Sequence, residues 1–225
     1  MIGKGVVRRV RKKKISHNVI LRLPRYLRYL EELRQGDVVR ISSGELGALM
    51  GITASQIRQD LSCFGEFGQQ GYGYNVEMLM NAISGILGTN RERRAVLIGA
   101  GNLGRAIIGK FPFSHYGFRL VAAFDMGDDI VGQEISGITI SHVDDLETEI
   151  EKHSPDVAVL TMSSGSANTI AGRLIDAGVR GIWNFTNVDL KISGPGVVVE
   201  NLHFSDSLLT LSYYMTHRAV DEENQ

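Results

Sequence analysis

The sequence predicts an α/β protein of two domains, a small basic helical one followed by a larger one in which strands and helices alternate. Three observations carry that expectation. The 225 residues are long for one domain and comfortable for two. The net charge of −1 hides an asymmetry: residues 1–70 hold 13 Lys and Arg against 6 Asp and Glu, the remainder 11 against 19, so the front is +7 and the back −8. Finally, residues 93–111, RRAVLIGAGNLGRAIIGKF, read as an apolar strand, a glycine turn and a helix start, and they open a second set of elements deep in the chain.

A basic front on an acidic body is the electrostatic footprint of a module that meets a polyanion. Cys63 is the only cysteine, which excludes an intramolecular disulfide and a cysteine-based zinc site; a reducing cytoplasm fits, and burial as a small apolar residue is expected. No apolar run approaches the roughly 20 residues of a bilayer-crossing helix, and the N-terminus lacks the apolar core of a signal peptide. The expected protein is soluble and intracellular, with no membrane and no metal among its partners.

In chain order, residues 4–14 are too charged to pack and read as an arm that lies along phosphates or merely solubilises. A helix over 18–34 carries Val19, Leu23, Leu27, Leu30 and Leu33 on one face, with Gly36 past its end; Pro24 inside that span could instead mark the first turn and move the start to Leu23. Next, ISSGELGALMGITASQIRQDLSCFG holds two capping boxes, Ser42 with Glu45 and Thr53 with Gln56, and Gly51 ends the first of two short helices. A tight turn between two short helices is helix-turn-helix spacing. Ile57 and Leu61 turn inward, while Ser55, Gln56, Arg58 and Gln59 are placed to face a DNA groove. The following GEFGQQGYGYNV suits a β-hairpin, the wing of a winged helix, from which Gln69, Gln70 and Tyr72 could reach phosphates. A helix over 76–87 ending at Gly88 connects the domains.

Residues 95–98 form the strand before Gly99-Ala100-Gly101-Asn102-Leu103-Gly104, a GxGxxG turn in strand-turn-helix context. The first glycine allows the tight turn, the second lets backbone approach a pyrophosphate, and the third lets helix pack on strand. A second strand over 118–124 ends in Asp125, whose carboxylate would accept from a ribose diol and repel a 2′-phosphate, selecting NAD(H) over NADP(H). A helix near 144–153, a strand 157–161, a helix 167–177 and strands 181–185 and 197–200 complete a Rossmann pattern, a doubly wound and mostly parallel sheet. Only about forty residues follow Phe185, too few for a substrate domain. His115, His142, His153 and His203 are scattered without ligand spacing or a paired carboxylate, so no enzyme is expected. The last helix, near 205–217, is apolar almost all round and calls for another subunit.

Taken in order, RLPRYLRYL, ISSGELG, TASQIRQDL, FGEFGQQGYGYNV, IGAGNLGRA, FD before VG, and GIWNF resemble the redox-sensing transcriptional repressors of the Rex family over nearly the whole chain. The resemblance implies an N-terminal winged-helix domain with basic arm and connector over 1–88, a Rossmann NAD(H)-binding domain over 89–204, and a C-terminal helix with acidic tail over 205–225, exchanged between the subunits of a homodimer. It implies binding to a palindromic double-stranded operator DNA when NADH is scarce and release when it accumulates, without hydride transfer. Met126, Thr161, Met162, Lys110 and His203 join the implied cofactor site, and Arg22 is implied as a switch residue near the domain interface. Lys110 stands where the family commonly has tyrosine, His203 where it has aspartate, Met162-Ser163 where Val-Pro is usual and Asn187 where proline is usual. Those departures predict a weaker NADH response, or one that varies with pH through His203. Two other classes remain: an oxidoreductase with a DNA-binding appendage, and a CoA-binding regulator, against which Asp125 argues.

Overall fold

The computed structural model describes residues 15–69, 71–192 and 194–223, so the basic segment 4–14 and Gln70 lie outside the described residues. The chain divides into two compact units, one ending at Asn90 and the other beginning at Arg91.

The first unit contains α1 (His17–Gln35), β1 (Arg40–Ile41), α2 (Ser43–Met50), α3 (Ala54–Ser62), β2 (Gly68–Gln69), β3 (Gly73–Asn75) and α4 (Val76–Leu87). α1 starts at His17, capped by Ser16, and not at Leu23. Pro24 is tolerated inside it because the N–H it lacks would have bonded the carbonyl of Ile20, on the helix's exposed side where water can serve instead. The opposite side buries Leu23, Tyr26, Leu27 and Leu30 against Leu46, Ile57 and Leu79. The Ser42–Glu45 capping box of α2 is complete. That of α3 is half made: Thr53 accepts from the Gln56 backbone, but the Gln56 side chain turns to Asp60 instead of reaching back. Cys63, expected inside, is exposed, because the buried stripe of α3 runs through Ile57, Asp60 and Leu61. β2 and β3 form the expected hairpin, and β1 adds a third antiparallel strand beside β3.

The second unit contains β4 (Arg93–Ile98), α5 (Asn102–Lys110), a short 3-10 turn (Phe113–Tyr116), β5 (Phe118–Asp125), β6 (Glu134–Ile135), β7 (Ile138–His142), α6 (Leu146–His153), β8 (Val157–Leu160), α7 (Ser164–Asp176), β9 (Gly181–Asn184), β10 (Val198–Asn201) and α8 (Phe204–Glu223). Strand order is β10-β9-β8-β4-β5-β7-β6, with every pairing parallel except β6 with β7. Alternate residues of β4 feed opposite faces: Val96 and Ile98 pack toward Leu146, Ile170 and Leu174, and Leu97 toward Ile107 and Ile108. Burial on both faces explains why the strands read as apolar runs. The order reverses between β4 and β8, and in open α/β sheets ligands bind outside the carboxyl ends of strands at such a point.

Candidate functional site

Both turns at that reversal are tightly built. Gly99 follows β4 at a φ of +99°, and a Cβ there would lie 2.7 Å from the Met162 nitrogen. The Thr161 hydroxyl donates to the Gly99 carbonyl at 2.6 Å, binding the end of β8 to the turn. A Cβ on Gly104 would overlap that same carbonyl oxygen, so α5 can cross β4 closely only with glycine there. Gly101 differs from both: a Cβ on it would meet nothing within 4 Å. The first and third glycines serve the protein's own packing, and the second faces open space.

Gly101 is also the N-cap of α5 and supplies no side-chain cap, so the first-turn N–H groups of Asn102, Leu103 and Gly104 have no capping side chain, the arrangement that receives an anion. Asp125 ends β5 beside the turn. Its carboxylate accepts from the backbone N–H of Ala100 at 2.6 Å, Met126 at 2.7 Å and Gly127 at 2.9 Å. A carboxylate has about four acceptor positions, which leaves one for a ligand hydroxyl. Gly99, Gly101, Asp125, Met126, Thr161 and Met162 line one cleft, together with Ile130, Val143, Ser163 and Ser166, which the sequence did not single out as ligands. A wider groove lies at the other ends of the strands, between Arg93 and Arg180; it is away from the switch point, and its Arg173 and Glu147 are paired with each other.

Lys110 and His203 do not line this cleft. Lys110 is exposed in the last turn of α5, about 13 Å along the helix from Gly101. Its neighbour Phe111 joins a ring cluster with Phe113, Tyr116 and Trp183 at centroid separations of 5.0–5.5 Å. His203 Nε2 lies 3.0 Å from an Asp189 carboxylate oxygen. Among the described residues, His142 Nδ1 lies 3.2 Å from an Asp144 carboxylate oxygen and His153 Nε2 3.2 Å from that of Glu149, so these three histidines stand beside carboxylates that the sequence reading did not assign to them. None of the three lines the cleft.

In the first unit, α3 exposes Ser55, Arg58 and Gln59 as expected. Arg58 Nη1 donates to the Ser43 hydroxyl at the start of α2, 2.9 Å away, within a groove between α3 and the hairpin. Tyr72 is exposed at the hairpin end, near the Arg40 guanidinium, whose carbon stands 5.9 Å from the ring centre. Gln56 departs from expectation: half-buried, it donates to Asp60 Oδ1 at 2.7 Å. Arg22, implied at a domain interface, is engaged inside this unit, its Nε and Nη2 donating to the two oxygens of Asp60 at 2.6 and 2.8 Å. The Tyr26 hydroxyl donates to the same carboxylate at 2.9 Å. Burial alone would push the Asp60 carboxyl up, but the hydrogen bonds from Arg22, Gln56 and Tyr26 outweigh it and hold it below the ordinary aspartate value. Burial, reinforced by the bond to Asp60, pushes the Tyr26 hydroxyl up. Sequence patterning missed Asp60, because a lone aspartate on a polar helix reads as solvent-facing.

Comparison with known proteins bears on both sites. The family model for a putative DNA-binding protein N-terminus matches residues 14–62, and that for a CoA binding domain matches 90–188. The redox-sensing transcriptional repressor Rex of Clostridium beijerinckii is 50% identical over 203 residues, covering 90% of this chain and 96% of its own. That of Caldicellulosiruptor bescii is 46% identical, covering 95% and 98%. Among solved structures, RSP in complex with β-NAD+ and operator DNA superposes with a TM-score of 0.86 at 46% identity, over 94% of this chain and 97% of that one. RSP in complex with β-NADH gives 0.86 at 43% identity, over 95% and 100%.

Proposed function

This chain belongs to the Rex family of redox-sensing transcriptional repressors, and on that premise we propose that it holds a palindromic operator as a homodimer in the cytoplasm and releases it when NADH seats in the cleft of the second unit. Its ligand is NAD(H) and its macromolecular partner is operator DNA. The observation that carries this reading is that one relative of the same fold has been crystallised both with NAD+ and operator DNA and with NADH. No described helix is long and apolar enough to cross a membrane. The homodimer is supported by α8, where Leu208, Leu209, Leu211, Tyr213, Tyr214 and Met215 are all exposed on a single chain. A regulator without turnover is supported by the relatives, which are named as transcriptional repressors.

NADH can release DNA only by binding one dimer arrangement better than the other. Since the adenine and pyrophosphate ends are common to NAD+ and NADH, the distinction must arise near the nicotinamide, which is charged only in NAD+.

Arg58→Ala is expected to weaken operator binding by about 1–3 kcal/mol, because the guanidinium leaves Ser43 for a guanine edge or a phosphate. Fluorescence anisotropy on labelled operator measures it, with NADH affinity unchanged; an unaltered operator affinity would remove Arg58 from the interface. Asp125→Ser should lower NADH affinity by roughly tenfold or more, through loss of a charged acceptor, and narrow the preference over NADPH. Titration calorimetry with both nucleotides decides it, and an unchanged ratio would place ribose recognition elsewhere.

A further inference from the structure

We infer that the buried cluster of Arg22, Tyr26, Gln56 and Asp60 is a positioning device that sets how α3 stands for base reading. The inference rests on the operator-binding reading above. Asp60 follows Gln59 directly on α3, yet its side chain is wholly buried against α1. Its two oxygens receive four donors, Arg22 Nε and Nη2, the Tyr26 hydroxyl and Gln56 Nε2, so the acceptor capacity of the carboxylate is filled. Ile57 and Leu61 also hold α3 to the core, but apolar contacts are non-directional and tolerate a small roll or slide of the helix. A planar guanidinium bonded to both carboxylate oxygens tolerates neither.

Stability is a poor explanation for such a cluster, since a buried ion pair replaced by apolar residues of similar volume is often neutral or stabilising. What the pair supplies is a single setting of α3. Gln56 illustrates the effect: its place on α3 suits the groove side, and the cluster draws it inward, leaving Ser55, Arg58 and Gln59 as the exposed readers.

The test replaces the pair as a unit. The full-length parent and the double variant R22M/D60L are each used to select duplexes from a random-sequence DNA pool, and binding to the parent's selected duplex is compared with binding to scrambled DNA. Thermal unfolding and NADH titration are measured alongside. The double variant is expected to stay folded, melting somewhat below the parent because the Tyr26 hydroxyl and the Gln56 amide lose their acceptor, and to bind NADH equally. Its preference for the selected duplex should fall about tenfold or more, the scale of one to two mismatched base pairs, and its own selected sequences should lose the parent's pattern. A double variant that keeps the motif and the preference ratio overturns the inference. Should that variant unfold, Arg22→Lys decides, because a single ammonium cannot grip both oxygens: a reduced ratio with intact NADH binding supports the positioning role, and a parental ratio overturns it. A parent that selects no motif overturns the repressor reading itself, and this inference with it.

Discussion

Gly101→Ala is expected to give a protein that keeps its operator at NADH concentrations that release the parent. The substitution is a clean probe because the three glycines of the turn do different work. A methyl on Gly99 would press into the Met162 backbone, and one on Gly104 would overlap the Gly99 carbonyl, so either change disturbs the fold along with the site. Gly101 has a φ of −68°, open to alanine, and a Cβ there enters empty space. That space lies at the uncapped start of α5, where a pyrophosphate would approach the N–H groups of Asn102, Leu103 and Gly104. Excluding the phosphate forfeits one or two charge-assisted hydrogen bonds at about 1.5–3 kcal/mol each, so NADH affinity should drop roughly a hundredfold. Stability should stay within about 1 kcal/mol of the parent. Calorimetry with NADH and anisotropy with operator measure both halves. Parental NADH affinity in the variant would mean that the pyrophosphate does not pass over Gly101.

The largest expected loss of stability in the first unit is at Asp60. Asp60→Ala leaves the Arg22 guanidinium, the Tyr26 hydroxyl and the Gln56 amide without their shared acceptor. Removing one member of a buried ion pair costs about 3–5 kcal/mol; because the Arg22 side chain is 23% exposed while Asp60 is 0% exposed, water recovers part of that, and about 2–4 kcal/mol is expected. For a unit of this size the melting temperature should fall by roughly 10 °C or more, and operator binding should fall with it. The pH dependence has a definite sign. The folded carboxyl is held below its ordinary value, so its contribution is fully present above about pH 4 and is lost as pH falls through the lowered value. Acid titration followed by circular dichroism should show this component in the parent and not in Asp60→Ala. A variant melting within a degree or two of the parent would mean that Arg22, Tyr26 and Gln56 find other partners or water at no cost once Asp60 is gone.

Much of this architecture is legible in the sequence because its signals are local. The glycine turn, the Ser42–Glu45 box and the helix from Val76 to Leu87, closed by Gly88 in a left-handed conformation, follow from residues within a few positions of one another. Features that depend on distant partners are not. β1 and β6 are two residues long, too short for any periodicity, and exist only because β3 and β7 pair with them. Gln56 satisfies the capping-box spacing with Thr53, but a buried carboxylate one turn along competes for its amide and wins. Asp60 is decided by Arg22, 38 residues earlier, and His203 by Asp189. In the cleft, the glycines and Asp125 were readable, whereas Val143 and Ser166 arrive only through the fold of the sheet.

The most direct test of the account is a competition on the unmodified protein. Labelled operator duplex is bound to the full chain, and NADH or NAD+ is titrated in while anisotropy is followed at fixed salt, since phosphate contacts make DNA affinity steeply salt-dependent. NADH is expected to release the duplex at concentrations where NAD+ leaves it bound. Equal responses to the two nucleotides, or a duplex that stays bound in saturating NADH, would contradict it.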